Sequence, residues 1–320
     1  MKLQTQIPFS KADNQIDYSS RLLLLGSCFS QNIGDKLAYF KFRSLQNPLG
    51  IMFHPLAIKN LIDRAVEQKI YTAKDIFSFN ERWHCFDAHS ALSATTQEGI
   101  LQKLNDGLKH TNEQITEATH LCVTLGTAWV YQHLDTDTIV ANCHKVPRKE
   151  FEKRILSIAE IVKSLEGLVN QFRVLNKEVQ ILFTVSPVRH LKDGFVENQR
   201  SKAHLVSAIH QLLSSSKKNR NLDYFPAYEL LMDELRDYRF YAQDMVHPNE
   251  LAIDYIWEKF QEVWISEEVY LTMDKVMDIQ KGISHKAFHP ASEQHQKFQK
   301  SLKDKIAYIK EAYPFMEFTT

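Results

Sequence analysis

Ser27 stands directly after the apolar run Arg21–Gly26, and Asp244 and His247 lie three positions apart in YAQDMVHPNE, just ahead of an amphipathic stretch. A hydroxyl, an imidazole and a carboxylate are the groups of general-base acyl transfer. The imidazole takes the hydroxyl proton at one ring nitrogen, while the carboxylate holds the other nitrogen and fixes the tautomer. Pro248 suits the first helical position and pushes His247 into extended backbone just outside the helix. Such a turn lets Asp244 reach one ring nitrogen and leaves the other free. Each half also has a plainer reading: Ser27 as a helix N-cap, and Asp244 as a capping residue beside a surface histidine.

The elements that must position these groups follow from apolar patterning. Residues 21–25 read as a strand leading into a helix over about residues 30–39. LCVTLG from Leu121, VQILFTVSP from Val179 and LDYF from Leu222 are further short apolar runs that end in Gly or Pro or turn into a helix, as buried parallel strands do. Helical patterns lie between them, at Phe151–Phe172 and Ser201–Leu213. Strands separated by helices predict right-handed crossovers and a parallel sheet. Ser27 then falls outside the carboxyl end of its strand, where ligands bind in such sheets, and beside free N–H groups at the positive end of a helix. Residues 128–142 are β-rich on both sides of Asp135–Thr138, which predicts an inserted hairpin. A domain over residues 1–265 and a charged, helical appendage over 266–320 complete the expected organisation.

Composition narrows the function classes. Of 320 residues, 44% are hydrophobic and 24% charged, enough for a sizeable core. Lys plus Arg equals Asp plus Glu at 39 each, so no basic excess points to nucleic acid. Leu22–Leu25 followed by Gly26-Ser27-Cys28 has the look of a lipoprotein signal. The apolar stretch is only four residues long, however, with Asp13, Asp17 and Arg21 in the way, where a signal needs roughly 7–15 apolar residues. A soluble, cytoplasmic protein with no membrane partner is expected. The four cysteines contain no CxxC pair, which suits reduced thiols. Cys85 and His89, with His84 adjacent, have a helical metal spacing but lack an evident further ligand; neither metal nor cofactor is expected.

The strand–Gly–Ser start and the late Asp-x-x-His-Pro-Asn together resemble the SGNH (GDSL-type) hydrolase superfamily. More narrowly, GSCFS at Gly26–Ser30, NPLGIMFHP from Asn47, VTLGTAWVY from Val123, IVANCHKVP from Ile139, SPVRHLKDG from Ser186 and ENQRSKAHL from Glu197 resemble the bacterial GSCFA family, in order along the chain. The resemblance implies a three-layer α/β/α sandwich with a central parallel sheet of flavodoxin-like order. It also implies Ser27 as nucleophile, His247 as base and Asp244 as its orienting acid. The implied oxyanion hole combines the Ser27 N–H, a glycine N–H, for which Gly50 is the match, and an asparagine amide. That asparagine is missing, because Gly126-Thr127 is followed by Ala128-Trp129. One lost oxyanion donor typically costs about 10²–10³ in rate. Asn142 or His144, at the far end of the hairpin, is a candidate replacement, with Lys145 adding a charge; the alternative is that they only terminate the hairpin.

Trp129, Lys145, Arg189, His190 and Lys192 lie on the expected active-site edge and are candidates for binding an anionic or carbohydrate substrate. Cys28 is a second possible nucleophile but suits the sheet–helix core better. The sequence thus predicts a serine esterase or acyltransferase acting on a small O-acyl ester, possibly an O-acylated carbohydrate. The alternative is an SGNH-fold binding module that kept its pocket and lost turnover.

Overall fold

Four consecutive leucines make a strand buried on both faces. In the computed structural model, which describes residues 4–215, 221–286 and 288–318, Leu22–Leu25 form the centre of β1 (Arg21–Gly26). Side chains alternate along a strand. Leu23 and Leu25 therefore join one apolar cluster with Ile58, Leu61, Leu104, Leu165 and Leu205. Leu22 and Leu24 join another with Phe29, Leu37, Trp257 and Phe260. Burying each leucine is worth roughly 1.5–3 kcal/mol relative to exposure.

The remaining strands are β2 (Arg43–Gln46), β3 (Phe77–Phe79), β4 (Arg82–His84), β5 (His120–Leu125), β6 (Trp129–His133), β7 (Thr138–Val140), β8 (Phe151–Ile155), β9 (Gln180–Val185) and β10 (Leu222–Phe225). The helices are α1 (Cys28–Tyr39), α2 (Pro55–Val66), α3 (Gln97–Glu117), α4 (Ile158–Leu175), α5 (Phe195–Ser215), α6 (Ala227–Glu229, continued by a π turn over Leu230–Leu235), α7 (Glu250–Trp264), α8 (Tyr270–Ser284) and α9 (Glu293–Ala312). The central sheet runs β10-β9-β5-β1-β2, all parallel. Taken in chain order its strands are arranged 2-1-3-4-5, the flavodoxin-like order. Helices α2, α3, α4 and α5 cover one face and α1 and α7 the other, giving the expected three-layer sandwich.

Two antiparallel additions sit on this frame. β3 and β4 form a hairpin, and β6 pairs with both β7 and β8 in a three-stranded sheet. The hairpin expected over residues 128–142 is β6–β7. The helix expected from Phe151 instead begins at Ile158. Phe151–Ile155 is drawn into pairing with β6, and Ser157 with Glu160 forms a capping box that starts the helix after it. Pro248 is not the first helical residue either: Asn249 is the N-cap of α7, its side chain accepting from the Ala252 N–H. After residue 265, α8 and α9 pack through Met273, Val276, Ile279, Leu302 and Ile309 onto the cluster that holds α1 and α7. No helix among the described residues is long and apolar enough to cross a membrane.

Gly26 ends β1 at φ +136, and a Cβ there would overlap the Thr124 carbonyl of β5. Gly26→Ala should therefore cost at least about 2 kcal/mol in urea unfolding, through strain and steric overlap in the sheet. An unchanged midpoint would show that this strand end yields freely.

Candidate active site

Ser27 follows β1 where the chain order of the sheet reverses between β1 and β5, the crevice position of an open parallel sheet. It is fully buried. Its N–H donates to the Thr124 carbonyl at 3.0 Å, extending the β1–β5 ladder by one residue. Its Oγ accepts from the Phe29 N–H at 3.3 Å, so the hydroxyl serves as the N-cap of α1. Ser27 thus sits at the carboxyl edge of the sheet and caps the helix there.

A strap over residues 47–54 closes this edge. Asn47 Oδ1 accepts from the Gly26 N–H at 2.9 Å, and the Met52 N–H donates to the Gly26 carbonyl at 2.9 Å. The Phe53 carbonyl accepts from the N–H groups of Gly126 and Thr127, at 2.8 and 2.9 Å. His54 caps α2 through Nδ1 and donates from Nε2 to the Val140 carbonyl at 3.0 Å, tying the strap to the hairpin. Burial holds His54 neutral, its pKa pushed down to about 4. Gly50 serves the same strap: its φ of +79 and the closeness of His89 demand glycine, and its N–H is spent on the Asn47 carbonyl at 2.7 Å.

The opposite wall comes from α5, whose buried face is polar. Lys202 Nζ donates to the carbonyls of Gly126 and Ser186, both at 2.7 Å. Ser201 Oγ accepts from the Ala128 N–H at 2.7 Å. Asn198 Oδ1 accepts from the His190 N–H at 2.8 Å. One helix face thereby fixes the segments that leave β5 and β9. Lys202 has no carboxylate partner, and burial pushes its pKa down to about 7. His190 stands at the centre of this wall. Burial first, then the charges of Lys202, His247 and Lys192, push its pKa down to about 3. Its ring meets Phe53 edge-on at 5.4 Å.

Asp244 and His247 form a pair on the same edge. Asp244 Oδ2 lies 2.7 Å from His247 Nδ1. Asp244 Oδ1 accepts from the N–H groups of Val246 and His247, at 2.9 and 3.0 Å. Those bonds, the His247 backbone N–H first, hold the Asp244 carboxyl down at about 2. The turn depends on Met245 at φ +58, and the Val246 carbonyl accepts from the Arg189 N–H at 3.1 Å, which docks the pair beside His190. Roughly half of each side chain is exposed. The carboxylate occupies one ring nitrogen, and Nε2 is left without a hydrogen-bond partner among the described residues.

The model of the GSCFA family matches residues 21–260, and that of the GSCFA C-terminal domain matches residues 276–320. The chain belongs to the GSCFA family. Among curated proteins none matches it. Solved structures similar to it include a carbohydrate esterase of family 3 from Talaromyces cellulolyticus, at 9% identity and TM-score 0.36, covering 80% of this chain and 99% of that one. An acetyl xylan esterase from the rumen bacterium Butyrivibrio proteoclasticus is similar at 11% identity and TM-score 0.38, covering 78% and 66%.

The GSCFA motifs now have positions. GSCFS is the end of β1 and the start of α1, NPLGIMFHP is the strap, and SPVRH with ENQRSKAHL supplies the α5 wall and the segment it holds. Lys202, Asn198, Ser201, Asn47 and His54 were not singled out by sequence reasoning. Their only signal was membership of those motif stretches, because a polar residue on a helix face reveals nothing of what it meets. The hairpin-end candidates lie elsewhere. His144 is buried among Phe77, His84 and Phe86, with Nε2 2.6 Å from the Cys85 carbonyl. The Asn142 carboxamide oxygen accepts from the His144 N–H at 2.8 Å, and Lys145 is exposed. Among the described residues none of these three hydrogen-bonds to Ser27. Trp129 donates from its indole N–H to the Glu197 carbonyl at 3.3 Å, with the Lys153 ammonium over its ring. Arg189 stacks on Tyr241 at 3.9 Å and borders a cavity of about 470 Å³ with Tyr228, Tyr238 and Asp233. Lys192 lies in the short helical turn that follows His190. Cys28 packs against the α1 core, and burial raises its thiol pKa, which disfavours a thiolate nucleophile. The buried Cys85 thiol is pushed up to about 12, and His89 Nδ1 accepts from the Ala91 N–H. Among the described residues no group of three or more His, Cys, Asp or Glu side chains is arranged to hold a metal.

Lys202 makes the stability of the site dependent on pH. Its folded pKa of about 7 lies below the ordinary 10.5, so between these values the unfolded chain binds the extra proton and stability rises with pH. The neutral amine keeps two N–H groups for its two carbonyls. The urea midpoint should climb from pH 7 to 9, and Lys202→Met should remove that part of the climb; an identical slope in the variant would place the effect elsewhere.

Proposed function

We propose that this GSCFA protein is a serine esterase or acyltransferase acting on a small O-acyl ester. The observation that carries the reading is the Asp244–His247 pair. The carboxylate is tied by two backbone N–H groups and holds Nδ1, which leaves Nε2 free as a base beside the crevice that contains Ser27. Ser27 Oγ attacks the acyl carbon as its proton passes to His247 Nε2. The tetrahedral intermediate collapses, and the alkoxide leaves with that proton as an alcohol. Water, or a second hydroxyl, gives its proton to His247 and attacks the acyl carbon; the acyl–Oγ bond breaks and His247 returns that proton to Ser27 Oγ. Asp244 stays ionised throughout and holds the imidazolium.

Substrate entry requires movement at this edge. The Ser27 hydroxyl must turn from the Phe29 N–H, and the strap or the His190 segment must part to admit an acyl group. The cavity bordered by Arg189, Tyr228, Tyr238 and Tyr241 suits the alcohol part. Tyrosine faces and an arginine favour a carbohydrate, polar at its rim and apolar on its C–H faces. Burial of Ser27 and the absence of an asparagine at Ala128 favour a second reading, a binding module that retains the pocket without turnover.

A fluorophosphonate probe separates the two. Labelling is expected at Ser27 and is expected to vanish in Ser27→Ala. His247→Ala should lower acyl-ester turnover by about 10²–10⁴, the usual contribution of a general base, with the fold intact by circular dichroism. Absence of labelling in the folded chain would sink the enzyme reading, and wild-type turnover in either variant would sink the assignment of Ser27 and His247.

A further inference from the structure

The crevice contains an imidazole whose inner nitrogen has nothing to bond. His190 Nε2 is buried and has no hydrogen-bond partner among the described residues, a costly state for a polar atom inside a protein. Its position is fixed by what crowds Gly126. A methyl built on Gly126 would stand 3.2 Å from His190 Nε2, 3.2 Å from the Phe53 carbonyl and 3.3 Å from Ser27 Cβ. His190 Nε2 and the Ser27 side chain thus flank the same point, at the spot after β5 where the missing asparagine amide would be looked for.

Resting on the esterase reading above, we propose that His190 is the catalytic oxyanion donor in place of that asparagine, with its Nε2–H aimed at the acyl oxygen. As the Ser27 Oγ–carbon bond forms, the carbonyl π pair moves onto oxygen, and His190 donates a hydrogen bond to it without transferring a proton. The ring is built for a donor and not for a base. No carboxylate holds it, whereas Asp244 holds His247. Burial first, and then the neighbouring Lys202, keep it neutral, and a neutral imidazole is an effective electrophile toward a developing oxyanion. The backbone donors expected there are engaged: the Ser27 N–H with Thr124 and the Gly50 N–H with Asn47. Asn47 Nδ2 is also buried without a partner, but its carboxamide is pinned to the Gly26 N–H, and it is not among the atoms that crowd Gly126.

The test uses the full chain and p-nitrophenyl acetate, with each variant checked for folding by its urea midpoint. His190→Ala should lower kcat by about 10²–10³ with little change in KM. His190→Gln, which restores an N–H donor but no titratable ring, should recover most of that loss and leave the pH profile unchanged. In ¹⁵N NMR the His190 Nε2–H resonance should move when Ser27 carries a phosphonate. Wild-type turnover in His190→Ala, an unmoved resonance, or a loss of that size in Asn47→Ala, Asn142→Ala or His144→Ala alone would overturn the assignment. A chain that neither labels at Ser27 nor turns over ester would overturn the esterase reading, and this assignment with it.

Discussion

The carboxyl edge of the sheet depends on how β1 ends against β5. Gly26 leaves the strand at a φ closed to most side chains and lies against the Thr124 carbonyl, and Ser27 then takes that carbonyl with its own N–H. Strand pairing therefore continues one residue beyond the turn, and α1 begins at once with the Ser27 hydroxyl as its cap. Glycine permits the turn; the ladder bond and the cap fix where the serine lies. The strap reads the same corner from the other side, since both polar groups of Gly26 are bonded to it, the N–H to Asn47 and the carbonyl to Met52.

Around that corner the fold places buried polar groups where a simple hydrophobic core would have been easier to build. Lys202, Ser201 and Asn198 cost desolvation on a helix face that elsewhere carries Leu205, Ala208 and Ile209. In return they satisfy carbonyls and N–H groups that the ends of β5 and β9 leave open. These segments are then positioned by directional bonds, which specify orientation as apolar contact does not. Lys202 is the extreme case: a lysine without a carboxylate, held by two carbonyl oxygens, with its positive charge close enough to act on both Cys28 and His190.

The Asp244–His247 turn has the opposite character. It is half-exposed and is organised almost entirely by local bonds, with the carboxylate accepting from two N–H groups of its own turn. Its geometry hardly needs the rest of the molecule. Its placement does, through the Arg189–Val246 backbone bond that ties it to the segment after β9. The buried Ser27 and the half-exposed His247 thus share a neighbour, the His190 ring, on which His247 acts electrostatically and which flanks Gly126 together with the Ser27 side chain.

The sequence alone determined what depends on short-range pattern. Leu22–Leu25 specify a strand buried on both faces, the alternation of apolar runs with helical stretches specifies the parallel sheet, and Asp244-x-x-His247 specifies a turn whose carboxylate reaches its own imidazole. Each of these is legible in a pattern that spans only a few residues at a time. Tertiary structure decided the rest. It drew Phe151–Ile155 from a helical pattern into β8, because a partner strand in β6 offered backbone pairing. It buried His144 in an aromatic cluster with Phe77 and His84, and it brought Lys202, Asn198 and His190 to the strand ends. Most of those placements come from partners far apart in the chain, 59 positions for His144 and Cys85 and 76 for Lys202 and Gly126. A local pattern records which groups are available, but only the packed sheet decides which of them meet.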